Sequence, residues 1–261
     1  MIIKSQTKNI EELFEYISAD YGKCLYMYID LKKYGLDNEN FKIWIQYNNK
    51  KICSLISEYH NGFQVYSKSN DFNAKEIAEF IKEKNPTGIS GMKKTIDKIH
   101  EYIPEFKQEI GSVAELIKLK YTPNNNAYLA PFKELDEIAK VVSEDENVGK
   151  PYGYQSLYEQ FCERKKDNFG RNFILRDDET NEIVCHAATY AELSNLAIIS
   201  GVLTPPKYRG KGFSKGTLAA LCNELIMENK EIFSYFYILP AEKMHYGIGF
   251  KKIGDWSKLI K

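Results

Sequence analysis

The segment from residue 196 to residue 230 constrains the fold of this chain more than any other stretch. Residues 196–204 form an apolar run rich in β-branched side chains, which is typical of a buried strand. Pro205 and Pro206 end this strand, because proline lacks a backbone donor and restricts the residue before it. From Gly216 onward, apolar side chains recur at the spacing of a helix face. The segment therefore predicts a strand, a loop and an amphipathic helix.

The loop between this strand and helix has the composition of a phosphate-binding turn. Its two glycines let the backbone approach a ligand closely, and the first-turn amides of the following helix favour an anion. Its basic side chains add positive charge. Similar loops also occur as plain solvated turns, and the loop alone leaves that alternative open. We predict a pyrophosphate-binding loop formed by Arg209, Gly210, Lys211, Gly212, Phe213, Ser214 and Lys215.

Residues 206–214, PKYRGKGFS, resemble the coenzyme A-binding signature of the GNAT superfamily of N-acetyltransferases, Arg/Gln-x-x-Gly-x-Gly/Ala. Ser214 stands where the signature has glycine or alanine. Residues 241–250, AEKMHYGIGF, resemble the family's helix that ends in a Tyr-x-x-x-Gly-Phe turn. The resemblance covers roughly residues 171–256. It implies an acyltransferase that moves an acetyl group from acetyl-CoA, as cosubstrate, to an amine by direct attack in a ternary complex.

The same resemblance implies roles for individual residues. Val202, Leu203 and Thr204 would supply strand backbone to the pantetheine arm and to the thioester carbonyl. The family's proton donor to the departing thiolate is a tyrosine, whose spacing falls on His245, whereas a shift by one residue falls on Tyr246. Both remain candidates. Tyr246 is favoured, because a phenol is still protonated at neutral pH and can donate to sulfur.

The base that deprotonates the amine has two candidates on the preceding strand, Glu192 and His186. The alternatives are a solvated glutamate at a strand end and a core histidine with a satisfied hydrogen bond. The asparagine often found after the family's fifth strand is missing, and Ile238 and Leu239 stand there instead. A non-catalytic coenzyme A-binding or regulatory module therefore remains the alternative function.

The two halves of the chain look like versions of one plan. Residues 109–118, EIGSVAELIK, are similar to residues 252–261, KIGDWSKLIK, and each stretch closes its half after a helix. The polar run 118–126 is the predicted connector. We therefore predict two domains, one over 1–120 and one over 127–261.

The first half lacks the glycine loop of the second. Between its corresponding strand and helix lie residues 66–73, which contain no glycine and carry Asp71, whose charge would repel a pyrophosphate. The predicted fold class is α+β, with two GNAT-like halves, each a mixed, mostly antiparallel sheet flanked by helices. The first half is predicted to be degenerate, and only the second to bind acetyl-CoA.

Local patterns predict further helices and strands. In the first half, the predicted strands are 24–30, 41–47, 52–59, 62–67 and 88–90, and the predicted helices are 9–19, 74–84 and 92–102. In the second half, the predicted strands are 128–131, 171–177, 182–190 and 232–239, and the predicted helices are 135–142, 156–166 and 241–247. Residues 250–260 are predicted to form a terminal strand or hairpin.

Composition argues against several partners. The 36 Lys and Arg residues balance 36 Asp and Glu residues, so no net charge attracts nucleic acid or an anionic membrane. No apolar run is long enough to span a bilayer, and the five cysteines and four histidines lack metal-site spacing. We expect a cytoplasmic protein without a metal, whose partners are acetyl-CoA and a small-molecule or peptide amine acceptor. The sequence leaves the acceptor's identity and the oligomeric state open.

Overall fold

The computed structural model describes all 261 residues. The chain divides into two compact units, which are Met1–Val113 with Lys252–Lys261, and Ala114–Lys251. Both units combine strands and helices, so the predicted α+β class is confirmed. The predicted domains over 1–120 and 127–261 differ from these units chiefly at the chain's end. Residues 252–261 lie in the first unit, because they pair with one of its strands.

The helices and strands follow the same order twice along the chain. The first series is β1 (Ile2–Lys4), α1 (Ile10–Ser18), α2 (Leu25–Tyr34), β2 (Phe41–Asn48), β3 (Lys51–Tyr59), β4 (Gly62–Tyr66), α3 (Ala74–Glu83), β5 (Gly88–Met92), α4 (Lys93–His100) and β6 (Lys107–Leu116). The second series is β7 (Tyr128–Leu129), α5 (Leu135–Ser143), α6 (Tyr154–Lys166), β8 (Asn172–Arg176), β9 (Ile183–Glu192), β10 (Leu196–Leu203), α7 (Phe213–Met227), β11 (Glu231–Phe236), α8 (Leu239–Ile248) and β12 (Phe250–Ile260). None of these helices combines the length and apolar character that crossing a membrane requires.

In the first unit, strands β1-β2-β3-β4-β5-β12 lie side by side in that order. All neighbours are antiparallel except β4 and β5, which are parallel. Helices α3 and α4 pack on one face of this sheet, where Ile77 and Ile96 contact Trp44 and Phe63 in a buried cluster. Alternate residues of a strand face opposite sides, which explains why every second position of these strands is apolar.

In the second unit, strands β11-β10-β9-β8-β7 lie side by side, with β10 and β11 parallel and the rest antiparallel. Helix α7 packs on one face through Leu218 and Leu225, in a cluster that includes Phe173. Helices α5 and α6 pack on the other face, in a cluster that includes the next residue, Ile174. Strand β10 is therefore covered on both sides, which accounts for its nearly continuous apolar sequence.

Several predicted elements need correction. The run 24–30 is not a strand but the start of helix α2, because its apolar residues carry no period that separates a buried helix from a buried strand. Strands β1 and β6 were not predicted as strands. The strand predicted over 232–239 ends at Phe236, and α8 begins at Leu239 with a proline in its first turn, where proline is tolerated.

Gly249 caps the C-terminus of α8 at a φ of +119°, and a Cβ there would lie 1.9 Å from the carbonyl oxygen of Lys118. Gly249→Ala should therefore combine backbone strain with a forced backbone shift, costing about 2 to 5 kcal/mol of unfolding free energy. Gly210→Ala is the matched control, since its φ of +84° adds strain but a Cβ there meets nothing within 4 Å. It should cost about 1 to 2 kcal/mol. Urea unfolding compares the two, and equal losses would contradict the clash.

Candidate active site

The pairing of β10 changes on both sides near its C-terminal end. Its parallel pairing with β11 runs from Leu196 to Ile199 and goes no further. On the other side, Ser200 faces Ala188 and Leu203 faces His186, so β10 holds one residue more than β9 in that interval. This is a β-bulge, and Gly201 within it has a φ of +59°, which glycine adopts without strain. The end of β10 therefore presents backbone that β11 does not pair.

The loop after β10 is anchored by its aromatic and basic side chains. Tyr208 is buried beneath the loop, and its hydroxyl donates to the carboxylate of Glu182. Lys207 forms an ion pair with the same carboxylate. The hydrogen bond from Lys207, helped by that from Tyr208, lowers the pKa of Glu182. These contacts hold the loop on the β8–β9 hairpin, with the following glycines exposed.

Arg209 bridges the end of β10 and the loop between α5 and α6. Its Nε donates to the Thr204 carbonyl at 3.0 Å, and its Nη2 lies 3.0 Å from Oδ2 of Asp145. The Asp145 side chain is only 9 % exposed, whereas that of Arg209 is 56 % exposed. A cavity of about 170 Å³ lies beside this pair, lined by residues of 141–147 and 203–209. Since the Thr204 hydroxyl donates to the sulfur of Cys185, both oxygens of Thr204 are engaged within the protein.

The glycine loop leaves the backbone amides at the N-terminus of α7 without a protein acceptor. Gly210 and Gly212 both have left-handed φ angles, +84° and +81°, and no side chain caps the helix. The first turn contains no acidic residue, and the loop amides from Gly210 to Phe213 donate to no protein acceptor. Uncapped amides together with the helix dipole make an anion site. The predicted loop therefore leaves backbone donors open to an anion.

Residues of the predicted connector also reach this helix end, which the sequence did not indicate. The amide of Asn124 donates to the Gly216 carbonyl at 3.0 Å, and the Nζ of Lys215 lies 5.8 Å from the ring centroid of Tyr121. Lys215 also lies against α8, because a Cβ on Gly247 would come within 3.0 Å of its Nζ. The connector therefore packs beside the loop and the start of α7, and its polar composition did not indicate this contact.

His245 lies in the core of the second unit. Its Nδ1 is 2.8 Å from the Ala241 carbonyl, and its Nε2 is 2.9 Å from the Ser234 hydroxyl. The ring stacks on Phe236 at 4.9 Å between centroids. Because a carbonyl only accepts, Nδ1 carries the proton and Nε2 accepts from the serine. Burial lowers the pKa of His245 to about 4, so the imidazole is neutral at pH 7 and both its nitrogens are occupied.

Tyr246, the neighbouring candidate, lies at the surface of the same cluster. It is half-buried, and its ring meets Phe236 edge-on at 5.7 Å between centroids. Adjacent helix residues point about 100° apart, so the burial of His245 turns Tyr246 toward a different side of α8. Of the two candidates, only Tyr246 is partly exposed.

Glu192 lies at the end of β10 opposite the glycine loop. It pairs with Ala197 at the start of β10, about 20 Å along the strand from Leu203 at the strand rise of roughly 3.3 Å per residue. Its carboxylate accepts from Arg171, Lys230 and Thr189. Burial raises the pKa of Glu192, but these hydrogen bonds outweigh it and hold the pKa below its ordinary value. The structure does not bring Glu192 to the loop, and its oxygens are already taken.

His186 is also a buried core residue, only 1 % exposed. Its Nδ1 lies 2.6 Å from the Gly201 carbonyl in the bulge, and its Nε2 lies 2.9 Å from the side chain of Asn172. Burial lowers its pKa to about 4. Both nitrogens are occupied, so the ring cannot take a proton from an amine.

The corresponding loop of the first unit is closed by protein groups. The Asn73 side chain caps α3 by accepting from the Glu76 amide at 3.1 Å. The amide of Asn73 itself donates to Gln46, whose side-chain nitrogen donates to Glu76 in turn. The first turn of α3 also carries the negative charge of Glu76. An anion at this helix end would meet a filled cap and a carboxylate.

Neither a scan against protein-family models nor a search of the curated proteins finds a match. Solved structures do match. A GCN5-related N-acetyltransferase from Sphaerobacter thermophilus aligns over 100% of this chain and 95% of its own, with a TM-score of 0.68 and 10% identity. The chain has the GNAT fold. A GNAT-family acetyltransferase from Colwellia psychrerythraea aligns over 100% of both chains, with a TM-score of 0.61 and 12% identity.

A tandem GNAT protein from the clavulanic acid biosynthesis pathway also aligns, over 100% of this chain and 98% of its own, with a TM-score of 0.62 and 10% identity. These alignments span the whole chain, so the resemblance read from the motifs is confirmed at the level of the fold. At such low identity the likeness extends to the fold alone.

The two neutral histidines predict a loss of stability in acid. A histidine whose pKa is about 4 when folded and about 6.5 when unfolded binds a proton first in the unfolded chain. The stability that such a histidine contributes to the folded state is complete above pH 6.5 and is lost as the pH falls toward 4. When the pH falls from 7 to 4.5, the unfolding free energy of the parent should fall by about 2 to 3 kcal/mol more than that of His245→Phe. Urea unfolding at both pH values measures the difference, and parallel losses would show that His245 is not buried neutral.

Proposed function

We propose that this chain is a coenzyme A-dependent N-acyltransferase, which moves an acetyl group from acetyl-CoA to an amine in a ternary complex. The observation that carries the proposal is the uncapped glycine loop at the start of α7, directly after the unpaired end of β10. The GNAT fold supports it. The second unit holds this site, and the acceptor is a small-molecule or peptide amine.

The pyrophosphate of the coenzyme would bind at the loop. Amides from Gly210 to Ser214 would donate to the phosphate oxygens, and Lys211 and Lys215 would add charge. Arg209 already donates to Asp145, so a phosphate competes with that carboxylate for the guanidinium. Because the Asp145 side chain is only 9 % exposed, releasing Arg209 costs more than breaking an ion pair between two exposed side chains, and the phosphate contacts must offset that cost.

The backbone of β10 would position the thioester. Val202 and Leu203 face opposite sides of the sheet, one packed toward α7 and the other toward α5 and α6. Their peptide groups lie where β11 no longer pairs, so groups that point to that side would be available to a ligand, although Leu203 still pairs with His186 on β9. Thr204 contributes less than predicted, since Arg209 and Cys185 occupy its oxygens.

The reaction forms one bond and breaks one. The lone pair of the amine nitrogen attacks the thioester carbonyl carbon, and the C–N bond forms. The C–S bond breaks with its electron pair going to sulfur, and Tyr246 gives its phenolic proton to the thiolate. The nitrogen loses its extra proton to solvent, from which the phenolate recovers one. The products are an amide and coenzyme A, and no redox step or metal takes part.

The alternative is a coenzyme A-binding module without turnover. It is favoured by the apolar replacement of the asparagine, since Ile238 and Leu239 are 46 % and 59 % exposed after β11. Free thiol release from acetyl-CoA with a panel of amines, amino acids and peptides separates the two functions. Turnover with any acceptor excludes the module, whereas binding without turnover across the panel excludes the enzyme.

Gly212→Asp should abolish acetyl-CoA binding, because the carboxylate would lie where the pyrophosphate binds. Gly153→Asp is a matched control, since Gly153 is also a positive-φ glycine at a helix N-terminus of the second unit, with a φ of +73°. Calorimetric titration should find one coenzyme per parent chain, one for Gly153→Asp, and none for Gly212→Asp. A second equivalent would place a coenzyme site in the first unit and contradict its closed loop.

Tyr246→Phe should reduce turnover on the order of 10²- to 10⁴-fold and leave acetyl-CoA affinity nearly unchanged, because only the transferable proton is removed. His245→Phe should keep turnover within about threefold, since the imidazole is a buried packing group. Single-turnover kinetics with a saturating acceptor measures both variants. The reverse pattern would return the role to His245, and two mild effects would leave water as the acid.

A further inference from the structure

The bulge in β10 rests on one buried side chain. Gly201 lies in the bulge at a φ of +59°, and a Cβ there would come within 3.2 Å of Cε1 of His186. The imidazole Nδ1 is 2.6 Å from the Gly201 carbonyl oxygen. The ring thus fills the space beneath the glycine and binds its carbonyl oxygen.

The histidine is itself oriented by a second group. Because the Gly201 carbonyl can only accept, Nδ1 carries the ring's proton and Nε2 accepts. Nε2 lies 2.9 Å from the end of the Asn172 side chain, whose NH2 group rather than Oδ1 must therefore face the ring and donate to it. Phe161 of α6 packs near the ring at 6.0 Å between centroids. Burial of the ring disfavours a second proton, so the neutral Nδ1–H form persists across neutral pH. The bulge is therefore held by a donor with a fixed tautomer.

The direction of the Gly201 carbonyl decides the direction of the next amide. In a trans peptide group the C=O and the N–H point opposite ways. Since the carbonyl points toward the His186 ring, the Val202 N–H of the same peptide group points away from that ring. Val202 also lies beyond Ile199, where pairing with β11 has ended.

We infer that His186 is a positioning residue for acyl transfer, which fixes the bulge so that the Val202 amide can donate to the thioester oxygen as negative charge develops there. This inference rests on the proposed function. His186 itself touches neither substrate nor coenzyme. Donors placed before the reaction stabilise an oxyanion most, and a misaligned donor loses much of that effect.

Two substitutions separate the two nitrogens of the ring. The amide nitrogen of His186→Asn can occupy the place of Nδ1 and donate to Gly201, whereas His186→Gln extends toward Asn172 and abandons that donor. His186→Gln should lower kcat on the order of 10- to 100-fold with the KM for acetyl-CoA within about threefold. His186→Asn should retain kcat within about fivefold.

A control removes an equivalent contact elsewhere. His100→Leu deletes a histidine contact to a backbone carbonyl in the first unit, where Nε2 lies 2.8 Å from the Phe106 oxygen. It should lower stability but leave kcat unchanged. Equal losses of kcat in His186→Asn and His186→Gln, or no loss in His186→Gln, would overturn the inference.

A measurement without turnover separates this inference from the proposed function. Nitrogen-15 NMR of the parent should show His186 with its proton on Nδ1 and no titration between pH 5 and pH 8. The amide resonance of Val202 should move in His186→Gln and stay in His186→Asn. If the parent turns over no acceptor, the proposed function fails and the inference fails with it. If the parent does turn over an acceptor, an Nε2–H ring or an unmoved Val202 amide overturns the inference alone.

Discussion

The interruption of the hydrogen-bond ladder of β10 is the constraint on which the second unit's site depends. A strand buried between two neighbours normally satisfies every backbone group by pairing, and a bound ligand then finds no free donor. Here the bulge shifts the register against β9, and the parallel ladder with β11 ends at Ser234. The freed peptide groups lie just before the glycine loop. One local defect thus leaves backbone at the end of β10 without a partner on β11, and the uncapped helix end follows a few residues later.

The two units show how one order of elements supports opposite electrostatics at the same helix end. Helix α7 begins after Gly212 with free amides and no acidic residue in its first turn. Helix α3 begins after Asn73, whose side chain fills the cap, and it carries Glu76 in its first turn. Both helices have a macrodipole, but only the N-terminus of α7 is left open to an anion. The difference comes from a few loop residues on otherwise comparable scaffolds.

Much of the second unit could be predicted, because its local signals agree with its tertiary packing. The prolines after β10, the apolar face of α7 and the glycine loop each specify their own structure. The prediction failed at α2. Buried apolar residues lie on nearly all sides of this helix, so the sequence shows no alternation of apolar and polar residues with the period of a helix. It also could not separate His245 from Tyr246, because sequence spacing does not show which of two adjacent side chains meets Ser234 and Phe236.

The sequence by itself determined the strand–loop–helix segment, the glycine-containing and basic character of its loop, and the absence of such a loop in the first half. These properties reside in backbone freedom, chain stops and charge, which are local. Only the tertiary structure decided the roles of the ionisable groups. Glu192 is held by Arg171 and Lys230 at the far end of β10, and His186 and His245 are neutral because burial excludes their second proton. A side chain's charge and reach depend on neighbours brought together by folding, which no local pattern contains.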